Sequence, residues 1–530
     1  MHNARALAAI AFVLALANGF AAKTLSYPQG ELVVNISSSL PEWRPHRAYN
    51  ADEAQILTAI AEGLFVYDPL SMDPVPALAE SWSVDKSNLV WTFTLRAGAK
   101  YSNGEPITAS EVVESWFTLI DPRINAPYAS LFDSIVGVGE YRAGAETDRA
   151  KVGIRASGDR TVTLTLSTPA EHLPKILCHH AFSVVHSSGR EAALKDAAPA
   201  NYVPVSSGPF TVQSANDKEI VFLKNANYWD ASAVSLPSIR VLITDDADDI
   251  TARFNRGEIH WLAGSTRIDR VLDRASIMVT PLFATEYFFF RSTQWPWNDS
   301  KVRNALIAAV PWADLRANYV IPAKTLVFPI SGYPELPGIT LHDVSKAREL
   351  LAAAGIEDPS KLPSLEIRIP DAQPFSNLAS ILETAWKGLG LTVTVKALPY
   401  AEYYASLRDD AYAIGITTWI GDFADPLSFL EMFRPQSSLN DSGWRNQEYE
   451  RLIKDASSAA DRKSRYALLS KAEQLLLDEG VILPVAHNPA LNVIDTNGLE
   501  GWYSNALDIH PFKFIRFGPK KPLPGVARAR

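Results

Sequence analysis

Stretches apolar at every second residue recur along the chain, and they are interleaved with stretches apolar at every third or fourth. In residues 90–96 the side chains of Trp91, Phe93 and Leu95 share one face. In residues 161–166, Val162, Leu164 and Leu166 alternate with threonines, and in residues 391–395, Val393 and Val395 do the same. A repeat of two turns one face to a core, so each reads as a half-buried strand. Residues 345–354 are rich in helix formers and stop at Gly355. Asp461 precedes a run in which Tyr466, Leu469, Glu473 and Leu476 lie along one side, ending at Gly480. A helix over 378–387 passes through Gly388 and Gly390 into the strand at Leu391, which is an αβ unit. The fold class is therefore α/β, with helices and strands mixed along the chain.

The chain is 530 residues long. Single cores stop growing near roughly 250–300 residues, and about 150 residues per domain suggests three units. Hydrophobic residues make up 47% and charged residues 21%, a balance that folds. The net charge of −9 argues against nucleic acid, whose phosphates call for a basic face. The only cysteine, Cys178, rules out an internal disulfide, a thiolate zinc cage and an iron–sulfur cluster; a small buried apolar residue is expected there. Residues 1–22 carry Arg5, a 12-residue apolar stretch over 6–17 and small residues at 19, 21 and 22. This is the pattern of a cleaved secretory signal. No cysteine follows it to take a lipid anchor, so the expected product is an exported, soluble, periplasmic protein.

Motifs of catalysis are missing. The sequence has no GxSxG, no GxxxxGK[ST] and no HExxH. His179 and His180 are adjacent, a spacing that points side chains apart on a strand and does not converge on a helix, so no metal is expected. Asp245, Asp246, Asp248 and Asp249 lack the glycine and distal glutamate of a calcium loop and read as a solvated turn or helix N-terminus. Absent motifs lower the odds of an enzyme without disproving one, because triads are recognised by geometry; no catalytic residue, metal or cofactor is assigned.

The most informative stretch is 417–430, TTWIGDFADPLSFL. Tyr412, Ile414 and Ile416 alternate into a strand that reaches Trp419, breaks at Gly421 and Asp422, and cannot resume past Pro426. Asp422, just beyond a strand end and beside a tryptophan, is well sited to hold a cationic group in an apolar cleft. Equally, Asp422 and Asp425 read as caps for a helix over 426–433, with Asp425 the better cap.

The chain also resembles a family, the large extracytoplasmic solute-binding proteins of peptide-type (oligopeptide/dipeptide) ABC importers. The resemblance spans nearly the whole mature chain, through IAEGLFV at 60–66, PALAESW at 76–82, VWTFTLRAGAKYSNG at 90–104, PITASEVVESW at 106–116 and APYAS at 126–130. SGPF at 207–210, NYW at 227–229, RGEI at 256–259, NDSKVRNAL at 298–306, the 346–354 and 465–473 segments and WIGDFADP at 419–426 follow in order. It implies a two-lobed periplasmic-binding-protein-like fold with an extra domain in the first lobe. Lobe I would comprise 23–62, 187–283 and 490–530, the extra domain 63–186 and lobe II 284–489, with crossovers near Phe283 and His487. By position, Asp422 would bind a peptide's α-ammonium. Thr418, Trp419, Ile420 and Gly421 from one lobe and Tyr49, Asn50 and Ala51 from the other would offer main-chain edges, and Tyr128 would line the site. Two departures stand out: Tyr49 replaces an acid, and Ile416 replaces an arginine, leaving Arg408 to take a ligand carboxylate. The implied partners are a small peptide or another ammonium-bearing solute and the importer's transmembrane permease, with the receptor a monomer. A metal chelate, opine or glycan on the same scaffold, or a secreted hydrolase, are the alternatives.

Overall fold

The computed structural model describes residues 30–37, 39–195, 202–264, 266–407, 409–421, 423, 425–459 and 461–519. The expected signal segment, the C-terminal tail, Arg408 and Asp422 lie outside the described residues.

Two large sheets organise the chain. The first has seven strands in the order Ile277–Pro281, Pro489–Ile494, Trp261–Leu262, Glu31–Ser37, Ser238–Ile243, Glu219–Lys224 and Phe210–Ala215. Glu31–Ser37 runs parallel to both of its neighbours, and the remaining pairs are antiparallel. The second has five strands, in the order Val393–Leu398, Leu365–Pro370, Ile414–Ile420, Ala284–Phe290 and Ile482–Ala486. The chain passes from the first sheet to the second through Leu282 and Phe283, and returns through His487 and Asn488. The two crossings touch, with the Leu282 N–H donating to the Asn488 carbonyl at 3.3 Å.

A separate antiparallel sheet of four strands, Ala79–Val84, Val90–Leu95, Thr161–Thr165 and Ile154–Ser157, packs with the helix Ala109–Leu119. Along Val90–Leu95 the alternation of the sequence becomes an alternation of burial, with Trp91, Phe93 and Leu95 inside. This unit reaches the five-stranded lobe directly, through the Ser438 hydroxyl donating to the Pro127 carbonyl at 2.8 Å.

The helices follow their signals with shifted ends. Arg462–Asp478 is capped by Asp461, whose side chain accepts from Ser464 N–H, and buries Tyr466, Leu469, Glu473 and Leu476. Gly480, at φ +63, ends it in the left-handed region that glycine enters without strain. The helix expected over 378–387 begins earlier, at Gln373, with a proline in its first turn. The strand expected from Leu391 begins at Val393, because Leu391 is still folded back onto the end of that helix through its bond to the Trp386 carbonyl.

Candidate functional site

The strand Ile414–Ile420 decides the geometry of the site. Along its whole length it pairs with Ala284–Phe290, whereas on the other side only Ile414 pairs, with Ile367. Gly421 N–H continues the first ladder to the Phe283 carbonyl at 2.7 Å. Main-chain groups of an antiparallel strand point alternately to its two edges, so those of Ile416, Thr418 and Ile420 point to the other edge. At Ile416 both groups there are taken by the Tyr403 hydroxyl. Beyond it no described strand occupies that edge, and Thr418 is exposed.

A cavity of about 290 Å³ opens against this edge. Thr417, Thr418, Trp419, Ile420 and Gly421 wall it from the five-stranded lobe, and Tyr49, Asn50 and Ala51 from the seven-stranded one. Tyr128 and His179 close it from the extra unit. Eight of the ten residues singled out from the sequence thus share one cavity; Asp422 and Arg408 are the two outside the described residues.

Aromatic rings join the three walls. Tyr49 stacks on Tyr128 at 6.2 Å, with Tyr404 at 6.2 Å and Trp419 at 6.5 Å from the same ring. The Tyr128 hydroxyl donates to the Tyr49 carbonyl at 3.1 Å, so Tyr128 is both a buried core side chain and a wall. The Trp419 indole donates to the Ser428 carbonyl at 2.9 Å, which fixes its plane. Such ring faces attract ammonium groups.

Three expectations need correction. The segment 49–51 offers no strand edge: Asn50 caps the helix Ala51–Ile60, and the N–H groups of Tyr49 and Asn50 both donate to Glu53, at 2.8 and 3.0 Å. A helix start consumes N–H groups that an extended segment would leave open. His179 and His180 do not diverge, because they open a short 3-10 helix rather than lying in a strand; their rings are 4.0 Å apart. Even so, no group of three or more His, Cys, Asp or Glu among the described residues is placed to hold a metal. Cys178 is only partly buried and lines the cavity; its low-dielectric surroundings push the thiol pKa up, so it stays protonated.

Asp425 is buried and is not among the residues lining the cavity. Its carboxylate accepts from Leu427 N–H at 3.0 Å and forms a bidentate pair with Arg465 at 2.6 and 2.8 Å, and that guanidinium keeps its pKa low despite burial. The carboxylate does reach the helix start through Leu427, but the helix expected over 426–433 is only Leu427–Leu430 followed by the 3-10 turn Glu431–Phe433, its cap position is Pro426, and Asp425 also pairs with Arg465.

Two wall groups carried no readable signal. Glu62 and Lys513 lie 451 positions apart and both line the cavity. Lys513 Nζ is 3.4 Å from the Glu62 carboxylate and donates to the Tyr228 hydroxyl at 2.9 Å; Tyr228 and Trp229 in turn donate to Glu62. Glu62 stands in the IAEGLFV block, but only the fold shows its partner. His179 and His180 are both held neutral by burial, His180 with a pKa lowered to about 4.

Residues 73–441 match the model for bacterial extracellular solute-binding proteins, family 5, middle. The dipeptide-binding protein DppE of Bacillus subtilis is 28% identical over 472 residues, 86% of this chain and 86% of that one. The periplasmic oligopeptide-binding protein OppA of Salmonella typhimurium is 28% identical over 510 residues, 91% and 92% of the two chains. Among solved structures, the murein tripeptide binding protein MppA of Escherichia coli superposes with a TM-score of 0.82 at 24% identity, covering 92% of this chain and 98% of its own. The unliganded open form of MppA gives 0.64 over a similar share, 93% and 98%.

Proposed function

This chain belongs to family 5 of the bacterial extracellular solute-binding proteins, and on that premise we propose that it captures peptides between its two lobes and delivers them to the permease of an ABC importer. Family members bind substrates and hand them on; they are receptors, not enzymes. The relatives' names state dipeptides, oligopeptides and a murein tripeptide, which favours a peptide over a metal chelate, opine or glycan. No helix among the described residues is long and apolar enough to cross a membrane. We place the working protein in the periplasm, as a monomer without a lipid anchor. We take lobe I as 23–62, 187–283 and 490–530, the extra domain as 63–186 and lobe II as 284–489.

The observation that carries this reading is the open edge at Thr418 and Ile420 facing the cavity. An extended peptide that adds to it as a further strand gains main-chain hydrogen bonds whatever its side chains are. Asp422, one residue past Gly421, would receive the α-ammonium beside the Trp419, Tyr49 and Tyr128 rings. Arg408 is our candidate for the ligand carboxylate. Closure bends the two crossings at Leu282–Phe283 and His487–Asn488, and ligand favours the closed form because only there do both lobes reach it.

Calorimetry with a panel of di- to pentapeptides, each free and N-acetylated, tests the reading. Free peptides should bind and their acetylated forms should bind at least tenfold more weakly. Equal affinities would remove the ammonium clamp, and no binding by any free peptide would remove peptide capture itself.

A further inference from the structure

Glu286 lies one cross-strand neighbour behind the cavity wall. It is the third residue of the strand that follows the first crossing, and Thr418 is its partner across the ladder. At this pair the ladder bonds point outward, the arrangement that brings side chains closest. Thr418 Oγ1 donates to Glu286 Oε2 at 3.3 Å, and Asn488 Nδ2, in the return crossing, donates to the same oxygen at 3.4 Å. The Tyr319 hydroxyl donates to Oε1. All three donors are neutral. The residue is 5% exposed, and among the described residues no Lys, Arg or His pairs with it.

Other buried carboxylates in this molecule are provided for. Asp425 has Arg465, Glu62 has Lys513 and Glu31 has Arg240. Among the described residues Glu473 has no cation, but it accepts the main-chain N–H groups of Leu326 and Val327, both at 2.8 Å, and so anchors a loop. Among the described residues Glu286 receives no main-chain group. Burial therefore raises the Glu286 carboxyl pKa, the three neutral hydrogen bonds only partly offsetting it, and a cation brought beside it would stabilise the ionised form. The rings of Tyr404, on the cavity wall, and Tyr400 stack at 6.5 Å. Burial first, and the Glu286 carboxylate second, raise the Tyr400 hydroxyl pKa. Ring faces beside a carboxylate suit a cation.

We infer that Glu286 is the counter-charge for a second cationic group on the cargo, so that the receptor favours peptides carrying a lysine or arginine side chain in addition to their N-terminal ammonium. The inference rests on the peptide reading above and narrows its substrate class.

The test is calorimetry at pH 7 with alanine tri- and pentapeptides in which lysine is moved through each position, each compared with norleucine at the same position. At one position lysine should bind the wild-type protein at least tenfold more tightly than norleucine. Glu286→Gln should abolish that preference, bringing the lysine and norleucine peptides to equal affinity. Equal affinities at every position in the wild type, a result that needs no variant, would overturn the inference while leaving peptide capture standing. So would a preference that survives in Glu286→Gln. No binding by any of the peptides would bring down the peptide reading, and this inference with it.

Discussion

Gly421 shows how much one missing side chain decides. A Cβ there would meet the Phe283 ring at 2.4 Å and Ser428 Oγ at 2.8 Å, because the strand end lies against the crossing between lobes. Gly421→Ala should therefore destabilise by about 1–3 kcal/mol, as overpacking does, read as a lower urea midpoint with an unchanged slope. A neutral result would mean that the crossing yields easily. One position further on, Asp422→Asn should weaken peptide binding at least tenfold if the carboxylate holds the ammonium. A silent substitution would leave Asp422 only a capping role. The strand break and the tryptophan beside it were legible because proline, glycine and period-two patterning are local properties. The contact that makes Gly421 obligatory was not, since Phe283 is 138 positions away in sequence.

At the scale of elements, the helix Arg462–Asp478 depends on two aspartates that do different jobs. Asp461 caps its N-terminus through Ser464 N–H at 2.8 Å, so Asp461→Ala should cost about 1 kcal/mol in chemical unfolding. Asp425 holds the helix from outside through Arg465. Arg465→Met strands a buried carboxylate and should cost about 3–5 kcal/mol. If Arg465→Met proved milder than Asp461→Ala, the pair would be contributing only at the level of a surface contact. The cap was visible as an aspartate before an apolar repeat. The pairing of Asp425 with a helix 40 residues later was not.

Across the whole molecule, buried histidines set the response to acid. Desolvation lowers the pKa of His46 to about 3 and those of His172, His180 and His487 to about 4. Such a group is neutral when folded but takes up a proton once unfolded, at about 6.5. The stability it supports is complete above pH 6.5 and drains away as pH falls toward 4. Glu431 and Glu473, with pKa values raised by burial to about 7, act the other way between pH 7 and 4.5. Asp52, Asp133 and Glu286, also raised by burial, add to that opposing side, so the histidine share is read from a single variant and not from the net slope. Among the described residues neither ring nitrogen of His46 has a hydrogen-bond partner, so His46→Leu sacrifices no bond there. It should shrink the acid loss by about 2 kcal/mol, at about 1.4 kcal/mol per pH unit. An unchanged pH slope would show that His46 is hydrated in solution.

Strand and helix periods, the αβ units, the helix stops and the stretch 417–421 could be read without coordinates, because each depends on residues within a few positions of one another. Family resemblance extended that reading to two lobes and a cleft. Folding decided what depends on distant partners: which edge of the Ile414–Ile420 strand stays open, that Tyr49 contributes a ring and not an edge, that Lys513 meets Glu62, and that Glu286 is buried with no cation beside it among the described residues. Burial and pairing are properties of the space between segments, and a linear pattern does not encode that space one residue at a time.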